Sequence, residues 1–366
     1  MRKPRVVVSV FDHPAYSGGA QVVVRRIIET LSHDHEVVLV TVRCAVDWAG
    51  MRSGIKVINL PVAWAGPRLS QLLYHPLLLL TALFLRHDLW IESFTPPISS
   101  SLVPLVTRRP VVGLAQALAA REMVRKYRLG FLLRLERAAL RLYRHVVVLN
   151  PFDLRVVGEC NPRAQVRLIP NVIPMPATPM PATPCGGSGD FALFLGRLDI
   201  TQKGLDLLAE AYRRAGPGAL PLVVAGAGTG SAEQHLAELI RPVADRVRPV
   251  GHVHGEAKEG LLAGAGFVVM PSREESFGLV ALEAMAHGKA IVHFDLPQLS
   301  WIPDDCGVKV PRFDVAGLVK AIEELSGDPA RRAGLGRNAR AFTERHNAEG
   351  GPDAYAELVS AILSGT

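Results

Sequence analysis

Short Val-rich runs alternate with amphipathic stretches twice along this 366-residue chain, and a proline-rich segment separates the two series. The first series reads "RVVVSVF", "EVVLVTV", "KVINLPV", "RPVVGLAQ" and "VVVLN", with helical patterns in "GAQVVVRRIIETLSH" and "GFLLRLERAALRLYRH". The second begins at "DFALFLGRL" and continues through "LPLVVAGAG", "VRPVGHV", "GFVVMPS" and "AIVHFD", again with helical patterns between the runs. Unbroken apolar runs suit parallel strands covered on both faces, because a strand with one wet face would alternate. Strand–helix alternation makes them βαβ units of a doubly wound sheet. The segment "PNVIPMPATPMPATPCGGSGD" carries MPATP twice, and its Pro, Gly and Ser content reads as a linker. The predicted organisation is an α/β domain over 1–170, a linker over 171–189 and a second α/β domain over 190–351. Ligands of open α/β sheets bind beyond the carboxyl ends of the strands, so the expected site is a cleft between the two domains.

Composition narrows the class. A hydrophobic fraction of 49% and a charged fraction of 20% describe a large globular core. No apolar run approaches the ~18 residues of a spanning helix. "PLLLLTALFL", residues 76–85, reads as a buried helix, with shallow membrane contact as the alternative. The amino terminus lacks the long apolar core of a secretory signal and reads as a first strand of a cytoplasmic protein. The net charge of +7 favours anionic partners. Arg134, Arg137, Arg141 and Arg144 recur at helical spacing, extended upstream by Arg121, Arg125 and Arg128. This reads as a solvated face, with weak association to an anionic membrane surface, or a phosphorylated acceptor, as the sharper alternative. The four cysteines are scattered without metal-ligand spacing.

Three stretches carry chemistry. In "SREESFGLVALEAMAHGKAIV" the spacing predicts a helix from Ser276 or Phe277 onward, with amides of Phe277, Gly278 and Leu279 open to an anion. Glu275 stands at its tip. Glu283 sits among Val, Ala, Leu and Met, where a carboxylate needs partners; ribose hydroxyls would serve, and a solvent-facing position is the open alternative. In "LGRLDITQKGLD", Arg197 follows a strand and Lys203 precedes a helix, a suitable pair for a diphosphate or else two solvated cations. In "YSGGAQVVV", Gly18 and Gly19 separate the first strand from the first helix, as in a phosphate-approaching turn or a plain tight turn. This loop does not follow the G-x-G-x-x-G pattern, and "GAGTGS" at 226–231 only approaches it.

Together these stretches resemble glycosyltransferase family 4, most strongly over 190–310. The pattern P-S-x-x-E-x-F-G-L-x-x-L-E-A-M-A-x-G is matched from Pro271 to Gly288, and G-R followed by K-G is matched loosely by Gly196, Arg197, Lys203 and Gly204. The resemblance implies the GT-B fold: two Rossmann-like parallel-sheet domains facing a cleft, with the helix at 352–366 packing back on the first. It implies a retaining hexosyl transfer from a nucleoside-diphosphate sugar, with uracil the expected base, to a hydroxyl acceptor of unknown identity. Arg197 and Lys203 would hold the diphosphate, Glu275 the sugar, Glu283 the ribose and Val253 the base. Ser276, Phe277, Gly278 and Leu279 would contact the donor, and the leaving phosphate would serve as base. No D-x-D motif occurs, so neither a cofactor nor a divalent metal is expected. Where relatives carry a His after the "RPVVGLAQ" strand, this chain carries Gln116, a candidate sugar-hydroxyl ligand or an idle loop residue. The competing readings are a sugar-nucleotide isomerase of the same fold and a non-catalytic nucleotide- or nucleic-acid-binding protein. The last lacks an aromatic-interleaved basic platform, so no nucleic-acid partner is expected.

Overall fold

The computed structural model describes residues 2–11, 19–42, 55–95, 100–116, 118, 128, 130–176 and 189–365. Gly18, Arg121, Arg125 and most of the Pro-rich segment lie outside the described residues. In chain order the first elements are β1 (Arg5–Ser9), α1 (Gly19–Leu31), β2 (Glu36–Thr41), β3 (Lys56–Asn59), α2 (Gly66–Phe84) and β4 (Leu89–Ser93). They are followed by β5 (Val111–Ala115), α3 (Phe131–Leu140), β6 (His145–Val148), α4 (Pro151–Cys160) and β7 (Gln165–Leu168). The second series holds β8 (Ala192–Leu195), α5 (Leu205–Arg214), β9 (Leu222–Ala225), α6 (Gly230–Ile240), β10 (Val247–Gly251) and α7 (Gly255–Gly264). It continues with β11 (Phe267–Met270), α8 (Leu279–Ala286), β12 (Ala290–Phe294), β13 (Gly307–Val310), α9 (Val315–Gly327), α10 (Pro329–Glu349) and α11 (Pro352–Ser364).

The chain divides into two compact units, residues 1–171 with 349–366, and residues 172–348. In the first, one parallel sheet runs β3-β2-β1-β4-β5-β6-β7. Val6, Val7 and Val8 of β1 are fully buried, as expected of a strand covered on both faces. α11 closes this unit: Tyr355, Leu358, Val359 and Ile362 share a core with Val24, Ile27, Ile28 and Leu31 of α1. Their spacing is one apolar helical stripe laid against another. In the second unit a parallel sheet runs β10-β9-β8-β11-β12-β13. Both sheets reverse strand order once, between β1 and β4 and between β8 and β11, and such a switch opens a crevice at the strands' carboxyl ends.

Four elements escape the Val-rich pattern: β4, α4, β7 and β13. β4, "LWIES", is a central strand whose buried side chains include Trp90 and Glu92. Glu92 is tolerated because its polar atoms are met. The Ser101 amide donates to one carboxyl oxygen at 2.5 Å, the Tyr143 hydroxyl to the other at 2.7 Å, and the Ser100 and Tyr143 hydroxyls lie 2.8 Å apart. Burial pushes the Glu92 carboxyl up to about 7, against the pull of the Tyr143 and Ser101 bonds. A folded-state value above the unfolded one means the native chain holds the extra proton between about 4.5 and about 7. Stability therefore falls as pH rises through that window and levels off above it. Glu92→Gln removes this pH dependence, on the order of 3 kcal/mol across the window. Urea titrations of both proteins from pH 4.5 to 8 measure it; parallel stability curves would contradict the assignment.

Two expectations change. α3 ends at Leu140, so the helical Arg stripe stops at Arg137: Arg141 is the C-cap residue and Arg144 lies in the following turn. The Arg141 guanidinium donates to the Cys160 carbonyl at 3.1 Å, which ties that turn to α4. α2 is not a buried helix. Ser70, Tyr74, Leu78 and Ala82 are buried on one face, while Leu69, Leu72, Leu80 and Leu83 are exposed on the other.

Candidate functional site

The site assembles where β8 and β11 lie side by side, at the strand-order reversal of the second unit. The loop leaving β8 spans 196–204 and the loop leaving β11 spans 271–278. Gly204 joins the first loop to α5 in a left-handed conformation, φ +66°, and a Cβ there would overlap the Pro271 carbonyl oxygen. The two loops thus touch backbone to backbone.

Arg273 fastens them. Its amide donates to the Gln202 carbonyl at 2.9 Å, and its guanidinium donates to the Thr201 carbonyl at 2.9 Å. It also grips Asp206 in two 2.7 Å bonds. The Asp206 partnership raises the Arg273 pKa further above an already high value. Asp206 lies in the first turn of α5, where a negative charge is also favoured by the helix dipole.

Within this frame Lys203 Nζ meets Glu275 Oε1 at 2.5 Å, and the Ser272 hydroxyl donates to the same oxygen at 2.7 Å. Ser272 is fully buried, and Glu275 retains 9% exposure. Arg197 stands nearly half exposed on the β8 loop. It donates to Gln202 Oε1 at 2.5 Å, with the Asp199 carboxylate 3.9 Å away.

α8 starts at Leu279 rather than at Ser276 or Phe277. Gly278 is the reason: at φ +81° it caps the helix left-handed, and a Cβ there would lie 2.9 Å from Leu299 Cδ2. Phe277 is also committed elsewhere. Its ring stacks on Trp301 with centroids 4.6 Å apart, and its carbonyl accepts from Trp301 Nε1 at 2.9 Å. The Ala281 and Leu282 amides close on the Gly278 carbonyl, so the amides at the helix tip, Leu279 first among them, have no carbonyl within the helix to reach. Ser276 and Phe277 precede the helix in the loop that ends at this tip.

Glu283 is neither free in solvent nor buried alone. It is a quarter exposed and faces α7, where Lys258 Nζ lies 2.9 Å away. Beside it His287 Nε2 meets Glu259 at 2.7 Å, and burial lowers the His287 pKa, partly offset by Glu259. Val253 follows β10 half-buried against the second unit's core. Gly19 and Gln116 belong to the first unit. Gly19 opens α1, and Gln116 follows β5, buried, its amide donating to Leu114 at 3.0 Å.

The second unit thus gathers a lysine, a strand-end arginine, a positioned carboxylate and a helix tip on two fastened loops. Lys258, Arg273 with Asp206, and Trp301 were not singled out by spacing, and Ser272, matched in the family pattern, was given no role. Arg273 and Asp206 are 67 positions apart, Trp301 and Phe277 are 24 apart, and no local pattern links them. Among the described residues, no group of three His, Cys, Asp or Glu side chains is placed to hold a metal ion.

Residues 190–328, which contain both loops and α8, match the family described as Glycosyl transferases group 1. They form a group 1 glycosyl transferase domain. A glycogen synthase of Mycobacterium tuberculosis (strain CDC 1551 / Oshkosh) is 36% identical over 159 residues, covering 42% of this chain and 37% of that protein. The chain spans about two-fifths of the length of the curated relatives it matches. In structure, the sucrose-phosphate synthase of Thermosynechococcus elongatus aligns with a TM-score of 0.80 at 21% identity, covering 100% of both chains. Anabaena HepE in complex with UDP and glucose aligns with a TM-score of 0.76 at 16% identity, covering 99% of this chain and 100% of that one. The group 1 domain and the first unit are the two Rossmann-like parallel sheets of the GT-B fold. Among the described residues, no helix is long and apolar enough to cross a membrane.

Proposed function

We propose that the protein transfers a hexose-type sugar from UDP-sugar to a hydroxyl acceptor, retains the anomeric configuration and needs no divalent metal. The observation that carries this reading is the 2.5 Å Lys203–Glu275 pair, held between the two fastened loops, the second of which leads into α8. In the resting chain the carboxylate neutralises the ammonium. A pyrophosphate entering beside them draws Lys203 and Arg197 to its oxygens and frees Glu275 to accept from sugar hydroxyls. The open amides of the α8 tip face the same anion. As the glycosidic bond breaks, negative charge grows on the β-phosphate, and fixed cations and amides lower that barrier by a few kcal/mol each. The departing phosphate then takes the acceptor proton on the face it leaves, which preserves the configuration.

Glu283 binds ribose hydroxyls, with Lys258 holding its carboxylate in place. The backbone at Val253 lies against the base. The UDP of the HepE complex supports uracil as the base. The test is incubation with UDP-sugars in EDTA, read by proton NMR of the product anomer. α-Linked product or α-configured free sugar from an α-donor is expected. An inverted product, or activity only after added divalent metal, would overturn the corresponding part of the reading. A new sugar nucleotide from donor alone would favour an isomerase instead.

A further inference from the structure

Seven of the eleven large hydrophobic side chains exposed among the described residues lie on or beside α2: Trp64, Leu69, Leu72, Leu80, Leu83, Phe84 and Leu105. Leu69, Leu72, Leu80 and Leu83 follow one helical stripe with exposed Pro76 between them, directly opposite the buried Ser70, Tyr74, Leu78 and Ala82. Phe84 is 84% exposed at one end of the stripe and Trp64 80% exposed at the other. The stripe runs about 20 Å along the helix. A row of leucines and two aromatics facing water has no folding reason, since the opposite face already supplies the core contact.

Charge says what covers it. No Asp or Glu occurs between Asp47 and Asp88, and only Glu92 between Asp88 and Glu122. Glu92 is buried, and Asp88 accepts from the Arg5 amide at 2.8 Å. The exposed charges at the carboxyl end of the stripe are cationic: Arg86, Arg108 and Arg109. Their two segments are held together by His87, whose ring nitrogens lie 2.7 Å from the Leu85 carbonyl and 3.0 Å from the Thr107 hydroxyl. An apolar strip flanked by guanidinium groups, with an indole at its far end, matches the acyl boundary and headgroup layer of an anionic bilayer. We infer that the outer face of α2 docks the protein on an anionic membrane surface, with Leu80, Leu83 and Phe84 entering the acyl boundary and Arg86, Arg108 and Arg109 meeting lipid phosphates.

The inference stands apart from the donor site and is tested without it. Full-length protein is sedimented with phosphatidylglycerol–phosphatidylcholine vesicles and with phosphatidylcholine vesicles at low salt, while tryptophan emission is recorded. Expected are pelleting with the anionic vesicles, a blue shift from Trp64 and weakening by salt. Leu80→Gln/Leu83→Gln/Phe84→Gln should lower the partition coefficient at least about tenfold, since three large side chains lose their apolar burial. All three are exposed, so the thermal melt should not change. Arg108→Glu/Arg109→Glu should abolish the preference for anionic vesicles. The inference is overturned if the wild-type protein stays in the supernatant, or if the leucine–phenylalanine variant pellets as well as wild type. It is equally overturned if sedimentation velocity shows a dimer that this variant dissolves, because the stripe would then be covered by a second copy.

Discussion

Lys203→Ala and Glu275→Ala each lower kcat/KM by at least about 10²-fold, the typical cost of removing one preorganised group at a developing charge. The two variants differ in what else they lose. Lys203→Ala leaves a nearly buried carboxylate with only the Ser272 hydroxyl, and a charge stripped of its partner costs on the order of 3 kcal/mol of stability. Glu275→Ala leaves an ammonium that is 20% exposed and can turn to solvent, so its stability loss is smaller. The double variant removes both charges. It should recover much of the melting temperature lost in Lys203→Ala while remaining inactive. Recovery of activity along with stability would show that the pair is structural. Donor turnover and thermal melts on the same three proteins separate the two roles.

Gly204→Ala should destabilise the second unit by about 3 kcal/mol or more and abolish turnover. The residue sits at φ +66°, and the added methyl would run into the Pro271 carbonyl oxygen, which is backbone and cannot swing aside. Relief requires separating the 196–204 and 271–278 loops, which breaks the Arg273–Asp206 bonds and moves Lys203 off Glu275. Gly230→Ala is the control. It opens α6 with nothing within 4 Å of its would-be Cβ, and should be neutral or slightly stabilising. Urea titration of both variants measures the contrast. Equal stability of the two would mean that the loops are not locked at Gly204.

Sequence pattern reaches far into this fold, up to definite physical limits. Val runs announce strands buried on both faces. "LWIES" does not, because its Trp90 and Glu92 are accommodated by groups from Ser9, Ser101 and Tyr143 that no local window contains. Spacing placed Lys203 ahead of one helix and Glu275 at the tip of another without pairing them, and the structure brings them to 2.5 Å. It could not reveal that Glu283 already has a protein partner, because Lys258 reaches it from another helix, 25 positions away. Helical periodicity started α8 two or three residues early, since a left-handed Gly278 and the Phe277–Trp301 stack override the local tendency. For α2, an apolar run identified the helix but not its faces, because exposure depends on what packs against it.

The central claim is that Arg197, Lys203, Glu275, the α8 tip and Glu283 form one nucleotide-sugar site. A crystal structure of the protein with UDP tests it most directly. The account predicts the pyrophosphate within hydrogen-bond distance of Lys203 Nζ and the Arg197 guanidinium, with the ribose hydroxyls on the Glu283 carboxylate. UDP bound elsewhere, or bound nearby with Lys203 still on Glu275 and Glu283 contacting only Lys258, would contradict it.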